Sequence, residues 1–340
     1  MNPKFSILKI FFSVLSILIL SNVLFSKPDS TGITHEDKLR IREALRISND
    51  FGNLIWENFD SAPFVILLVT NENEYLINHR DSENEFVSIG YDTIIGGEIF
   101  SRPGKYNNNM LATFPAINGI PTIVIGQPEN TNLTTMDWVF TVIHEHFHQL
   151  QYSGQDYYDA VNSLDLADGD ETGMWMLNYK FPYDNKEISD QYGILTQKAK
   201  NTFLSQDSLQ FIDNLKEYLS ERKKFTGLLN EKDYKYFSFQ LWQEGIARYT
   251  EIKIADNIKE IYKPSKEFSD IDDYISMDSF YSNIVSKLLR RADTQSLSKD
   301  GRNCFYTLGA LEGLILDRAN PDWKELYFKE KFFTEKYFSD

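Results

Sequence analysis

The distribution of hydrophobic and polar residues predicts strands in the first part of the chain and helices in the rest. Apolar residues recur near helical spacing over residues 35–58, which predicts a first helix. Residues 63–70 form an apolar run rich in branched and aromatic side chains, as is typical of a buried strand. A polar turn at 71–74 leads into 75–78, so these segments predict a hairpin.

A second hairpin is predicted from residues 110–115 and 121–126. Asn118 and Gly119 separate the two runs, and this dipeptide favours two-residue hairpin turns because both residues readily adopt positive φ. The preceding stretch 96–109 is rich in Gly and Asn and therefore predicts a loop.

From residue 134 the pattern becomes helical and stays so almost to the end. Residues 132–135 offer N-cap side chains to a helix over 136–152, whereas 153–185 is irregular, acidic and aromatic. Further helices are predicted at 189–204, 206–222, 233–256, 276–292 and 304–318.

This order of elements predicts an α+β fold. A mixed sheet in residues 27–130 is followed by a mostly helical part in 131–340. We find no internal repeat and no linker that would divide residues 27–340, so these residues are predicted to form one domain.

The first 26 residues have the pattern of a signal peptide. Lys4 and Lys9 provide positive charge around the start of an apolar run at 11–20, and Ser26 is a small residue suited to cleavage. The run is shorter than the roughly 20 residues of a membrane span. We expect a secreted or periplasmic protein, with an uncleaved N-terminal anchor as the alternative and no other stable membrane insertion.

Charge and cysteine content exclude several classes of function. The formal net charge of -15 argues against nucleic-acid partners, because it offers no basic patch to neutralise phosphates. Cys304 is the only cysteine, so the chain can form neither an intramolecular disulfide nor a cysteine zinc site. We expect Cys304 to be a small buried hydrophobic residue.

Three of the five histidines lie within five residues, in His144-Glu145-His146-Phe147-His148. In a helix, His144 and His148 project from one face about one turn apart, so both imidazoles could bind one metal ion. Glu145 lies about 100° round the helix and could reach a water molecule at that metal. The flanking residues are strongly apolar, and a zinc ion would compensate the buried polar cluster.

His146 points nearly opposite to the other two histidines and is predicted to pack or to form a hydrogen bond rather than to bind metal. A catalytic zinc ion usually has three protein ligands, and no third histidine follows at metal-binding spacing. The third ligand must be a carboxylate. Two candidates remain open from the residues alone: the acidic cluster 168–171 and Glu244.

The segment around Glu244 resembles the ligand helix of the gluzincin peptidases, and more narrowly of the aminopeptidase N-like group. The residues that carry this resemblance are Trp242, Glu244, Gly245, Ala247 and Tyr249. The resemblance implies that Glu244 is the third zinc ligand. Glu251 falls on the same helical face as Glu244 and could orient a metal-binding side chain without binding the metal itself.

A second segment, Tyr306-Thr307-Leu308-Gly309-Ala310, resembles the family's tyrosine helix, which implies a catalytic role for Tyr306. The resemblance implies a zincin-like fold with an insertion near 153–230, because 95 residues separate His148 from Glu244. The family segment that holds a substrate amino terminus is not visible, so aminopeptidase specificity is not expected. From composition, residues 157–183 could line the cleft.

These observations predict a secreted zinc metallopeptidase that acts on peptide or protein substrates. Zn²⁺ would be bound by His144, His148 and Glu244, Glu145 would serve as the general base, and Tyr306 would stabilise the oxyanion. Two alternatives remain: a zinc hydrolase of a non-peptide amide or ester, and a zincin-shaped envelope or binding protein with little or no turnover.

Overall fold

A computed structural model describes residues 32–79 and 85–338 and shows an α+β fold with a six-stranded mixed sheet. The predicted signal peptide at residues 1–26 lies outside the described residues. Among the described residues, no helix combines the length and the apolar character needed to cross a membrane.

The six strands are β1 (Ile66–Val69), β2 (Asn73–Ile77), β3 (Val87–Asp92), β4 (Gly97–Pro103), β5 (Leu111–Ile117) and β6 (Ile120–Gly126). Their spatial order is β3-β4-β2-β1-β6-β5, in which β1 pairs with β6 in parallel and the other pairs are antiparallel. Both predicted hairpins are confirmed. Asn118 and Gly119 close the second one with φ of 51° and 77°.

The expectation of a loop throughout 96–109 is wrong, because β4 occupies half of this stretch, and β3 was not predicted at all. Ile99 and Arg102 are the buried residues of β4, and β3 is exposed along almost its whole length. β4 therefore lacks the apolar alternation that marks a half-buried strand. β3 has this alternation in Val87, Ile89 and Tyr91, but all three side chains are exposed. Backbone pairing with β2 holds β4 in the sheet, and this pairing has no local sequence signal.

Fourteen helices occur among the described residues. They are α1 (His35–Phe51), α2 (Pro128–Thr131), α3 (Thr135–Ser153), α4 (Tyr157–Ser163), α5 (Trp175–Asn178), α6 (Lys186–Phe203), α7 (Ser208–Gly227), α8 (Glu231–Gln240), α9 (Ile246–Ile258), α10 (Lys266–Ser269), α11 (Met277–Thr294), α12 (Leu297–Asp300), α13 (Asn303–Ala319) and α14 (Trp323–Tyr327). Each segment predicted to be helical from residue 134 onward is helical, but the one predicted over 233–256 is divided into α8 and α9.

The first helix ends earlier than predicted. It runs to Phe51, and Gly52 then begins a 3-10 turn instead of continuing the helix to residue 58. A side chain at Gly52 would collide with Phe59, since a Cβ there would lie 2.1 Å from the ring. The chain folds back at this glycine so that Phe59 can pack against the core.

The central helix α3 lies between the sheet and the other helices. It packs against β5 and β6 on one side and against α1 and α9 on others. Trp138 ties it to the sheet by donating from Nε1 to the backbone oxygen of Gly126 at 2.8 Å. On β1, Ile66 and Leu68 face this helical core, whereas Leu67 faces a smaller cluster on the opposite side of the sheet.

Candidate metal centre

His144 and His148 meet on the buried face of α3. Thr134 starts this helix by accepting a hydrogen bond from the Asp137 backbone N–H, and regular helical geometry then places the two histidines one turn apart. Their Nε2 atoms lie 3.1 Å apart. The imidazoles therefore converge on one point, as the sequence spacing predicts.

The opposite nitrogen of each ring has its own partner. His144 Nδ1 lies 2.5 Å from Glu251 Oε1, and His148 Nδ1 lies 2.6 Å from Gln151 Oε1. The Gln151 amide is oriented by its Nε2, which donates to the backbone oxygen of Trp242 and to the hydroxyl of Tyr327. Gln243 Nε2 also approaches His148 Nδ1, at 3.1 Å. With Nδ1–H donating to Glu251 and Gln151, Nε2 of each ring would be left as the metal-binding nitrogen. Burial opposes protonation of His144, but Glu244 and Glu251 outweigh it and raise its pKa to about 9.

Glu244 faces both histidines from a different helix. Its Oε2 lies 3.5 Å from His144 Nε2 and 3.4 Å from His148 Nε2, and its side chain is 15% exposed. Burial opposes ionisation of Glu244, but the two histidines outweigh it and hold the pKa of this carboxyl well below its usual range. The structure thus brings together the three residues that the sequence analysis assigned to the metal.

A π turn positions Glu244. The single helix predicted over 233–256 is instead α8, a π turn at Leu241–Gly245, and α9 in direct succession. Such turns insert one extra residue and change the direction of the side chains that they carry. Glu244 lies inside this turn, so its direction could not be obtained from regular helical periodicity.

Two glycines allow the glutamate and tyrosine helices to touch. A Cβ on Gly245 would lie 2.5 Å from the Cα of Gly309, and a Cβ on Gly309 would lie 2.6 Å from the Cα of Gly245. No side chain fits between these backbones. Glycine at both positions therefore lets α13 bring Tyr306 beside Glu244 and His144.

Glu145 lies next to the histidine pair but is held by the sheet. One ligand atom each from His144, Glu145 and His148 falls within 4.8 Å of the others. Thr113 on β5 places its hydroxyl 2.8 Å from Glu145 Oε2 and 2.9 Å from the backbone oxygen of the same residue. The group His144, Glu145 and His148 could therefore hold a metal ion, and Glu244 Oε2 also faces both Nε2 atoms.

Tyr306 lies parallel to His144, with ring centroids 6.1 Å apart and an interplanar angle of 6°. Its hydroxyl accepts a hydrogen bond from Arg302 Nη1 at 2.9 Å. Burial raises the pKa of the Tyr306 phenol well above its usual value, although Arg302 opposes this rise. The hydroxyl is therefore neutral and able to donate a hydrogen bond.

Asp168 and Asp170 of the acidic cluster 168–171 form contacts away from the histidine pair. The Asp168 side chain is 74% exposed and pairs with Lys232 at 2.7 Å. Asp170 accepts from the backbone N–H groups of Thr172 and Trp175 and so closes its own loop. Neither carboxylate is directed to the histidines.

The aromatic segment 157–183 contributes to the site only indirectly. Tyr157 is buried, and its hydroxyl donates to Gln243 Oε1 at 3.0 Å. Tyr152, which precedes the segment, stacks beside His148 with ring centroids 6.2 Å apart.

His146 has the packing role expected of it. Its ring stacks on Phe64 with centroids 3.8 Å apart, and its Nδ1 lies 2.8 Å from Gln149 Oε1. Burial lowers the pKa of His146 to about 4, so this imidazole is neutral at ordinary pH.

Sequence reasoning missed three residues of the site. Gln151 follows His148 by three positions on the same helix, and Arg302 precedes Tyr306 by four, so helical spacing could have indicated both. Thr113 gives no such signal, because its contact with Glu145 exists only where β5 lies against α3.

No protein-family model matches this chain, and no curated protein or solved structure shows significant similarity to it. Its function is therefore inferred from the site itself. That site consists of two imidazoles whose Nδ1 atoms have hydrogen-bond partners, a carboxylate that faces both, a second carboxylate tethered nearby and a neutral phenol.

Proposed function

We propose that this protein is a zinc-dependent hydrolase of the gluzincin type that cleaves peptide bonds. The observation that carries the proposal is the approach of Glu244 Oε2 to within 3.4 and 3.5 Å of both histidine Nε2 atoms. Glu244 comes from a helix that is remote in sequence from α3. A shared cation would explain why one half-buried carboxylate and two imidazoles converge on a single point.

The donor set fits zinc. Two imidazoles and one carboxylate are the ligands of many catalytic zinc sites, and they leave a coordination position for water or substrate. Glu251 and Gln151 hold the ring N–H groups, as the outer partners of zinc-binding histidines commonly do. Zinc bound there would act as a Lewis acid toward a carbonyl group and would lower the pKa of water.

The other residues have separate roles in hydrolysis. Glu145 would take a proton from the attacking water and pass it to the leaving nitrogen. Thr113 would hold the Glu145 carboxylate in place for both transfers. Tyr306 would donate its hydroxyl proton in a hydrogen bond to the oxyanion that develops on the substrate carbonyl.

The position of β5 favours an extended peptide as substrate. This strand lies at the edge of the sheet and pairs with β6, and its residue Thr113 contacts the proposed base. An extended peptide can add to the edge of a sheet through backbone hydrogen bonds. A zincin-like fold and a location outside the cytoplasm belong to the same proposal, the latter from the pattern of residues 1–26.

Metal analysis and one variant test this proposal. Purified protein is expected to contain one zinc per chain by mass spectrometry and to cleave members of a mixed peptide library. Glu145→Gln should keep the zinc and lose most turnover, by about 10²- to 10⁴-fold. Glu171→Gln, which changes an exposed acid in the same way, is the matched control and should behave like wild type. Absence of stoichiometric zinc would overturn the proposal.

A further inference from the structure

Arg302 lies beside the candidate catalytic tyrosine. It is the N-cap residue of α13, one turn before Tyr306. Its Nη1 donates to Tyr306 Oη at 2.9 Å and lies 3.8 Å from Glu244 Oε1. The guanidinium carbon is 5.7 Å from the Tyr306 ring centroid. One cation therefore touches both the phenol and the carboxylate that faces the histidines.

Tyr306 has two competing uses for its single hydroxyl proton. Arg302 Nη1 contacts both the Tyr306 hydroxyl and Glu244 Oε1, so the Glu244 carboxylate lies near the phenol, and its negative charge would direct the hydroxyl proton to the carboxylate. A phenol oriented in this way is not available to a developing oxyanion. Zinc bound at Glu244 Oε2 would weaken the attraction of this carboxylate for the proton, and a second cation beside Oε1 would weaken it further.

The guanidinium of Arg302 acts on this proton in two ways. Its N–H occupies a lone pair of the Tyr306 oxygen, which restricts the directions open to the hydroxyl proton. Its positive charge also offsets the charge of Glu244 at short range, and the Arg302 side chain is only 26% exposed. The planar arginine fork suits two neighbouring oxygen acceptors, whereas lysine offers a point charge on a flexible stem.

We propose that Arg302 is a positioning residue that keeps the Tyr306 hydroxyl proton directed to the substrate oxyanion rather than to Glu244. This inference rests on the proposed function, because it assigns Arg302 a part in the same reaction. It goes beyond that function by naming a cation that acts through the tyrosine. It also predicts that the two residues act as a unit.

A double-mutant cycle with Arg302→Met and Tyr306→Phe tests the coupling on the full-length zinc-loaded protein. Tyr306→Phe should lower kcat by about 10²- to 10³-fold, as loss of an oxyanion donor does. Arg302→Met should lower kcat by roughly 10- to 100-fold with KM nearly unchanged, because only the transition state is affected. The double variant should be no slower than Tyr306→Phe alone. Arg302→Lys should recover only part of the loss.

Two further measurements separate positioning from a general effect on the site. Zinc affinity, measured by competition with a chromogenic chelator, should change less than about tenfold in Arg302→Met, because Arg302 is not a ligand. Binding of a phosphinic peptide, whose tetrahedral anion mimics the oxyanion, should weaken by the same factor as kcat. Lys299→Met removes an exposed positive charge three residues from Arg302 and is the matched control. It should leave kcat, zinc affinity and the affinity for the phosphinic peptide unchanged.

The outcomes distinguish this inference from the proposed function. Two results would overturn the positioning role. One is additive losses of kcat in the double-mutant cycle. The other is a rise in KM restricted to substrates with a free carboxylate, which would indicate that Arg302 binds substrate directly. A wild-type protein without zinc or peptide cleavage would instead overturn the proposed function. If the wild-type protein is active and Tyr306→Phe has the same kcat, only the proposed coupling between Arg302 and Tyr306 is rejected.

Discussion

Thr113 Oγ1 lies 2.8 Å from Oε2 of Glu145 and joins the edge strand of the sheet to the histidine helix. The two residues are 32 positions apart in the chain, and Thr113 is only 8% exposed. The hydroxyl therefore holds the proposed base at a fixed distance from the histidine pair. The packing of β5 against α3 therefore fixes the position of the Glu145 carboxylate.

Replacement of Thr113 tests this contact. Thr113→Val keeps the shape of the side chain and removes the hydroxyl, so kcat should fall about tenfold, the equivalent of one hydrogen bond of ~1.4 kcal/mol. Zinc content should stay at wild-type level, because no ligand changes. Thr113→Ser keeps the hydroxyl and should restore most of the rate. Steady-state kinetics with zinc analysis provide the measurement, and equal losses in both variants would contradict a role for the hydroxyl.

Zinc affinity should separate the candidate third ligands. Glu244→Gln removes the carboxylate that faces both Nε2 atoms and should weaken zinc binding by more than about 100-fold. Glu251→Gln changes the hydrogen-bond partner of His144 Nδ1 and should weaken zinc binding by about 10- to 100-fold. Asp168→Asn alters the exposed partner of Lys232 and should have no effect.

Chelator competition at fixed pH measures all three constants. A loss of zinc binding in Asp168→Asn together with normal binding in Glu244→Gln would transfer the ligand role to the acidic loop.

The close contact between Gly245 and Gly309 should make both positions intolerant of alanine. Because a Cβ on Gly245 would lie 2.5 Å from the Gly309 backbone, Gly245→Ala must push α9 and α13 apart. We expect a loss of about 2 kcal/mol or more in the free energy of unfolding, together with weaker zinc binding. Urea denaturation of the zinc-free and zinc-loaded proteins measures both effects.

Gly193 provides the control for this substitution, because it lies in α6 and a Cβ there would meet no neighbouring group within 4 Å. Gly193→Ala should be neutral or stabilising by up to about 1 kcal/mol, since alanine is the better helix former. Equal behaviour of the two alanine variants would contradict the close helix contact.

His146 should make folding stability depend on pH. Its pKa in the folded protein is about 4, below the value of 6.5 for a free imidazole, because burial disfavours the charged form. Below pH 6.5 the unfolded chain binds a proton that the folded protein does not. The contribution of His146 is therefore complete above pH 6.5 and is lost as the pH falls toward 4, by about 3 kcal/mol in total.

His146→Phe keeps an aromatic ring against Phe64 and removes this titration. The pH dependence of its unfolding free energy should be flatter than that of wild type between pH 6.5 and 4, measured by urea denaturation of the zinc-free proteins. Its zinc affinity should remain unchanged at neutral pH. A curve that parallels wild type would show that His146 is not held neutral by burial.

The local pattern of the chain predicted much of the fold. Helical periodicity identified α3 with its N-cap, and Asn118-Gly119 identified the β5–β6 hairpin. These features depend on neighbours within a few residues, so they can be read without the rest of the chain. Strand β4 was missed because its pairing with β2 has no local signal, and β3 is held only by its pairing with β4.

The candidate site, like the fold, was predicted only in part from local sequence. Sequence spacing places His144 and His148 on one helical face, because four residues make about one helical turn. Tertiary packing brings Glu244, rather than the acidic loop at 168–171, to face them. That choice depends on a π turn, on two facing glycines and on the packing of separate helices. Such contacts link residues far apart in the chain, and their energies depend on three-dimensional packing that local sequence does not encode.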